Sequence, residues 1–134
     1  GDVVLDPFGG CGPTLGESKR LGRRSICFDI NPVAKFIAEV KVTPINPKKL
    51  DYEFERLQNR ISKKKKVVSK YHLKNERLLY WFDKKTIIEL DFVYSEIKKI
   101  KNKDIRKFFL CAFSHNLKNS SRWLMKSIKP TIDK

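Results

Sequence analysis

The amino-acid sequence predicts an α/β fold in which a short parallel sheet is followed by a mostly helical, basic region. All six glycines lie within the first 22 residues, and five of the six prolines lie within the first 47. Residues 1–46 carry six Lys and Arg against five Asp and Glu, whereas residues 47–134 carry twenty-four against ten. These shifts predict a compact, turn-rich domain over residues 1–46 and a separate basic region over residues 47–134.

The first region alternates strands and helices. Residues 3–5 form an apolar run typical of a buried strand, and residues 6–12 form a tight glycine-rich loop. Pro13 suits the first turn of a helix that ends near Leu21, before Gly22. Residues 25–30 are predicted as a second strand, after which Asn31 and Pro32 begin a second helix. This order of elements is the opening of a parallel α/β sheet.

The second region is predicted to be mainly helical. Its first helix has apolar residues three and four positions apart, namely Leu50, Phe54, Leu57 and Ile61. Residues 63–66 form a lysine run, predicted as a loop or a solvated helix end. Residues 78–82 are short and apolar, so a strand and a buried connector both remain open. Asp83 and Asp104 are predicted to cap two further helices.

Composition narrows the function classes. A net charge of +15 and a pI of about 9.9 point to a polyanionic partner, with nucleic acid first and an anionic membrane surface second. A highly solvated surface is the alternative. The three cysteines form no CxxC pair and the two histidines lack metal-ligand spacing, so we expect a reducing cytosol and no metal site. No apolar run approaches the roughly 20 residues of a membrane span, and no signal peptide is expected.

The glycine loop between a strand and a helix is typical of a nucleotide-type site. Gly10, Gly12 and Gly16 match GxGxxxG loosely, which alone would suit NAD(P). However, Asp6 at the strand end would repel a pyrophosphate and attract a sulfonium or an amino-acid ammonium group. Asp29 follows 23 residues later, a spacing suited to binding a ribose diol. S-adenosylmethionine carries both the ribose and the cation.

The same residues resemble a known family. Residues 4–14 (VLDPFGGCGPT) look like motif I of the amino-methylating DNA methyltransferases, Asp-Pro-Phe-x-Gly-x-Gly-Thr-Thr. Residues 22–32 (GRRSICFDINP) resemble the Gly-Arg-x-x-Ile-Gly-x-Asp-x-Asn-Pro stretch that follows it. Pro13 departs from the first Thr of the pattern. The pair Cys27-Phe28 replaces the usual Ile/Gly-type pair before the acid, and the bulky Phe28 would tighten the adenosine pocket. Residues 79–121 more loosely resemble a helical region that precedes the catalytic motif in one group.

The resemblance implies a partial Rossmann-like methyltransferase fold that binds S-adenosylmethionine and methylates adenine N6 or cytosine N4 in DNA, in a cytoplasmic restriction–modification setting. The cofactor-binding residues that it implies are Asp6, Pro7, Phe8, Gly9, Gly10, Gly12, Thr14, Asp29, Ile30 and Asn31. Residues 6–12 would line the methionine end, Asp29 would bind the ribose and Asn31 would lie near the adenine. For Phe8 core packing is the alternative, and for Asp6 and Asp29 a helix cap or surface turn.

The catalytic part of the family pattern is missing. The family needs an Asp/Asn/Ser-Pro-Pro-aromatic motif, which holds the target amino group and stacks on a flipped base. No Pro-Pro occurs in this chain. We therefore expect a fragment whose partner is the rest of a methyltransferase chain. The motif could precede residue 1 or follow residue 134, and its order in the resembling group places it after residue 134.

With DNA as the implied substrate, the basic region is expected to contact nucleic acid. The candidate residues are Arg60, Lys63, Lys64, Lys65, Lys66, Lys70 and Lys74. Three alternative functions remain open at this point: an RNA guanine-N2 methyltransferase, a non-catalytic nucleic-acid-binding remnant and, third, an NAD(P) oxidoreductase.

Overall fold

The computed structural model describes residues 2–63, 74–123, 129 and 131–132. The chain divides into two compact units, Gly1–Asn46 and Pro47–Lys134. The division falls where the charge of the sequence changes.

The first unit contains two strands and two helices in alternation. They are β1 (Val3–Asp6), α1 (Pro13–Arg20), β2 (Arg24–Cys27) and α2 (Pro32–Val42). The strands pair in parallel, with Val3 opposite Arg24 and Asp6 opposite Cys27. The carboxyl ends of both strands therefore lie at one edge of the sheet, and the loops that follow them emerge side by side.

The second strand differs from the predicted residues 25–30. It begins at Arg24 and ends at Cys27, because Asp29 turns the chain instead of extending it. The Asp29 carboxylate accepts a hydrogen bond from the Asn31 N–H at 2.7 Å, which is a local turn that competes with strand geometry. The Asn31 side chain then caps α2 by accepting from the Val33 N–H at 2.9 Å.

Helix α1 packs against β2 and against α2. Ala34 and Ala38 of α2 and Ser18 of α1 are buried. The opposite face of the sheet remains open, with Val3, Leu5 and Ile26 between 49% and 62% exposed. In the described part of the chain, α1 thus lies against one face of the sheet while the other face is open.

The second unit is helical in the described residues. It contains α3 (Pro47–Ser62), α4 (Glu76–Trp81), α5 (Lys84–Lys98) and α6 (Lys103–Asn116), and Trp123 forms an isolated antiparallel bridge with Ile132. Its buried apolar residues are Leu57, Ile87, Phe92, Ile97, Ile100, Ile105 and Phe109. Phe54 of α3 stacks on Phe109 of α6, with 6.2 Å between ring centroids.

Two expectations for this unit are wrong, and a third holds in part. Residues 78–82 are neither strand nor connector, because α4 begins at Glu76, where Asn75 caps it by accepting from the Leu78 N–H. Asp83 stands at the N-cap position of α5, as predicted, but its carboxylate accepts from Arg122 and makes no capping hydrogen bond. The cap of α6 is Asn102, which accepts from two backbone N–H groups, while Asp104 lies in the first turn.

Within the described residues, no helix combines the length and the apolar character that a bilayer span requires. The same residues contain no cluster of three or more His, Cys, Asp or Glu that could hold a metal ion.

Candidate cofactor-binding site

The loop between β1 and α1 depends on glycine backbone geometry. Gly10 and Gly12 have positive φ values of 50° and 74°, which side-chain-bearing residues rarely adopt. The Gly12 N–H donates to the Gly9 carbonyl at 2.8 Å, and the Gly9 N–H donates to the Phe28 carbonyl at 2.9 Å. The loop is therefore folded back on itself and attached to the segment that follows β2.

Close packing explains two of these glycines. A Cβ added to Gly9 would lie 1.5 Å from the Cys27 Sγ, and one added to Gly12 would lie 2.8 Å from the Ala38 Cβ. Gly9 and Gly12 are both buried. Their backbone contacts thus shape the loop from inside, against β2 and α2.

The Asp6 carboxylate is held at the end of β1. One oxygen accepts from the Thr14 hydroxyl at 2.5 Å, and the other accepts from the Phe8 N–H at 3.0 Å. The Thr14 hydrogen bond, followed by that of Phe8, lowers the pKa of Asp6 from its ordinary value. Asp6 is therefore negatively charged at neutral pH, and Thr14 acts by orienting it.

The Asp29 carboxylate joins the two loops. Its Oδ2 accepts from the Gly10 N–H at 2.9 Å, while its Oδ1 accepts from the Asn31 N–H. A carboxylate can accept about four hydrogen bonds, so Asp29 retains acceptor capacity for the hydroxyls of a ligand. The alternative role of Asp29 in a surface turn is also observed, because its hydrogen bond with the Asn31 N–H closes a local turn.

Two cavities flank Asp29. One, of about 240 Å³, is lined by Gly10, Leu15, Cys27, Phe28, Asp29, Lys35, Ala38 and Glu39. The other, of about 320 Å³, is lined by Pro7, Phe8, Phe28, Asp29 and Ile30. The Asp29 carboxylate borders both cavities, and Glu39 borders the first. Aromatic and aliphatic walls beside carboxylates are typical of a site for a flat, apolar group that also carries hydroxyls.

The structure brings most of the implied cofactor residues to the carboxyl ends of the two strands. Phe8 is 89% exposed and Ile30 is fully exposed, so core packing does not account for Phe8. Phe28 and Lys35 also line these cavities, although the sequence interpretation did not include them among the site residues. Phe28 was signalled by its departure from the family pattern, whereas nothing in the sequence pointed to Lys35.

Cys27 lies beneath the loop. Burial, together with the negative charges of Asp6 and Asp29, raises the pKa of its thiol. The thiol therefore stays neutral at physiological pH, and its contact with Gly9 gives it a packing role.

The basic residues expected to contact nucleic acid do not all have free side chains on the surface. Arg60 bonds Glu96, with 3.0 Å from Nε to Oε2, and is partly buried. Lys63 and Lys74 are exposed. Lys64, Lys65, Lys66 and Lys70 lie outside the described residues.

The residues present fit S-adenosylmethionine by their chemistry. Two carboxylates, one of them with a lowered pKa, suit a ligand that has positive charge and ribose hydroxyls. The exposed Phe8, Phe28 and Ile30 suit a flat base. A pyrophosphate would instead be repelled by both carboxylates.

The sequence of this chain is similar to those of known proteins. The family model described as DNA methylase matches residues 1–40. The Type II methyltransferase M.MvaI of Kocuria varians is 30% identical to this chain over 127 residues. The alignment covers 88% of this chain and 27% of that protein. The Type II methyltransferase M.MjaII of Methanocaldococcus jannaschii is 31% identical to this chain over 125 residues. That alignment covers 77% of this chain and 24% of that protein.

The chain spans about a quarter of the length of these curated relatives. No solved structure matches it significantly. The matched residues 1–40 include both carboxylates and the whole glycine loop. The family model and the two relatives together support an amino-methylating DNA methyltransferase family for this chain.

Proposed function

We propose that this chain is the cofactor-binding part of an S-adenosylmethionine-dependent DNA methyltransferase that methylates adenine N6 or cytosine N4. The observation that carries the proposal is the convergence of Asp6 and Asp29 at the carboxyl ends of two parallel strands, around a loop with positive φ at Gly10 and Gly12. The family match over the same residues supports it.

The roles follow from the positions of the groups. The bound cofactor would supply an activated methyl group on a sulfonium. Asp6 would place negative charge near the methionine end, and Thr14 would keep that carboxylate in position through its 2.5 Å hydrogen bond. Asp29 would accept from the ribose hydroxyls while it continues to hold the Gly10 N–H. Positioning contributes most of the catalysis expected for such a transfer.

The exposed sheet face supports a larger Rossmann-like domain. Parallel sheets are normally covered on both faces. Here Leu5 is 62% exposed and Ile26, its neighbour across the strands, is 51% exposed. We infer that further elements of a methyltransferase domain, including the part with the Asp/Asn/Ser-Pro-Pro-aromatic motif, pack on this face. DNA would be the substrate of that complete protein, in a restriction–modification role. A cytoplasmic location would suit the free Cys11, Cys27 and Cys111.

Calorimetric titration of the chain with S-adenosylmethionine tests the cofactor role. Asp29→Asn should weaken binding about tenfold or more, because a charge-assisted hydrogen bond contributes about 1.5–3 kcal/mol. Asp51→Asn is the matched control, since Asp51 is an exposed carboxylate in α3 of the other unit. Circular dichroism verifies that both variants fold.

Equal affinities of Asp29→Asn and the unchanged chain would contradict the assignment of Asp29. A folded chain that binds NADH but not S-adenosylmethionine would reject the cofactor proposal as a whole.

A further inference from the structure

One cluster of positive charge in the helical unit lies in ten described residues between the end of α5 and the first turns of α6. Residues 98–107, here named the basic turn, contain six basic residues and one acidic residue, Asp104. The preceding residues 74–97 contain four basic and five acidic residues, so the charge is local. The basic residues of the turn are Lys98, Lys99, Lys101, Lys103, Arg106 and Lys107.

Two arginines hold this region in place. Arg60, near the end of α3, donates to the Glu96 carboxylate and, at 3.2 Å, to the Glu96 carbonyl. Arg106 donates to the Ile100 carbonyl at 2.9 Å, which attaches α6 to the turn. Ile100 is 2% exposed and anchors the turn in the core. The end of α3, with the exposed Lys63 after it, therefore lies at the same end of the unit as the basic turn.

The buried Glu96 beside the basic turn does not neutralise its exposed lysines. Glu96 is 4% exposed, and its carboxylate is already shared between Arg60 and Lys99, the latter at 2.6 Å. Lys101 and Lys103 are exposed, and neither has a side-chain partner in the described part of the chain. These two ammonium groups are therefore available to an external anion.

We propose that the basic turn binds the phosphate backbone of duplex DNA. The choice of DNA as the polyanion rests on the proposed function, whereas the location rests on the charge and geometry of the turn. Lysine ammonium groups contact phosphates as point charges, so the turn positions DNA without reading its sequence. An anionic membrane surface suits it less, because membrane-surface helices expose apolar residues beside their charges. In the turn, both Ile100 and Ile105 are buried.

The sequence interpretation placed this contact at residues 60–74. Arg60 instead has a bond to Glu96 that connects α3 with α5. In the proposal it is a positioning residue, since it acts by holding the end of α3 beside the basic turn. Lys101 and Lys103 take the contacting role here, and the exposed Lys63 and Lys74 remain candidates.

The double variant Lys101→Gln/Lys103→Gln of the 134-residue chain tests the proposal. Its dissociation constant for a fluorescently labelled duplex is measured by anisotropy across a salt series. For each lysine that contacts phosphate, affinity should fall by up to about tenfold near 0.1 M salt, and the double variant should lower the log–log salt slope by about 1.8. The matched control is Lys84→Gln/Lys85→Gln, which removes two exposed charges from the opposite end of α5.

A weaker affinity and a shallower slope for the turn variant alone would support the proposal. Equal weakening by both pairs, no change in the turn variant, or no DNA binding by the unchanged chain would each overturn it. If the Lys101→Gln/Lys103→Gln variant lost binding to phosphatidylserine vesicles but kept its affinity for DNA, the proposal would also be overturned.

Titration of the same samples with S-adenosylmethionine keeps the two proposals distinguishable. If the chain binds the cofactor while the DNA result is negative, the basic-turn inference fails and the cofactor proposal stands. If the folded chain binds DNA through the turn but does not bind the cofactor, the cofactor proposal fails instead.

Discussion

Gly12 illustrates how one residue determines the course of the glycine loop. It lies at the N-cap position of α1 with a φ of 74°, and its Cα faces Ala38 of α2. Both its backbone conformation and the space around it exclude a side chain. Gly16, four residues later, lies within α1 and has no atom within 4 Å of an added Cβ. The two glycines therefore make a matched pair.

We predict that Gly12→Ala destabilises the chain by about 2 kcal/mol or more, because the left-handed conformation and the close contact each cost about 1–2 kcal/mol. Gly16→Ala should instead be neutral or stabilise the chain by up to about 1 kcal/mol, because alanine favours helix. Urea unfolding gives both values. Similar free energies of unfolding for the two variants would contradict the role of Gly12.

At the scale of elements, α3 and α5 are joined through one buried carboxylate. Burial raises the pKa of Glu96, but the hydrogen bonds and charges of Lys99 and Arg60 outweigh it, so the net pKa lies below its ordinary value of 4.5. The folded state therefore favours the ionised form. Its contribution to stability is complete above about pH 4.5 and is lost as the pH falls through the lowered pKa.

We predict that Glu96→Gln lowers the free energy of unfolding by about 1–3 kcal/mol at neutral pH, since it leaves Arg60 with a weaker partner. Glu89→Gln is the control, because Glu89 is 61% exposed and 3.9 Å from Lys85, and it should change stability by less than about 0.5 kcal/mol. Denaturant unfolding at several pH values measures both effects.

The difference between Glu96→Gln and the unchanged chain should shrink as the pH falls below the ordinary value of 4.5. A difference that is constant with pH would show that lost packing, and not lost charge, causes the destabilisation.

At the scale of the whole molecule, the glycine loop lies in one unit and most of the net positive charge lies in the other. The first carries the glycine loop, with six basic residues against five acidic ones, and the second carries twenty-four against ten. Neither contains an Asp/Asn/Ser-Pro-Pro-aromatic motif. The groups that would hold a target amino group are therefore absent from this sequence.

We predict that the 134-residue chain transfers no methyl group to DNA by itself, even where it binds S-adenosylmethionine. Incorporation of a radiolabelled methyl group into unmethylated DNA, with tRNA as a parallel substrate, measures this. A full methyltransferase that contains the chain and the missing motif serves as the positive control. Measurable transfer by the isolated chain would contradict the prediction.

Local chemistry made several elements predictable. Pro13 and Gly22 mark the two ends of α1, and Asn31 with Pro32 begins α2, because caps and prolines act through neighbouring backbone groups. The short α4 was not predictable, since six residues are too few for a helical period to show. The cap of α6 was misassigned because Asn102 and Asp104 are both plausible acceptors two positions apart.

The sequence by itself determined the alternation of strands and helices, the change in charge near residue 46 and the family pattern around Asp6 and Asp29. Tertiary structure decided that Asp29 bonds Gly10, 19 residues earlier, and that Arg60 bonds Glu96, 36 residues later. It also decided that the exposed lysines of residues 98–107 lie near Glu96, whose carboxylate already pairs with Arg60 and Lys99. The physical reason is that capping and turn preferences act between near neighbours, whereas ion pairing and burial depend on which distant residues the packed helices and strands bring together.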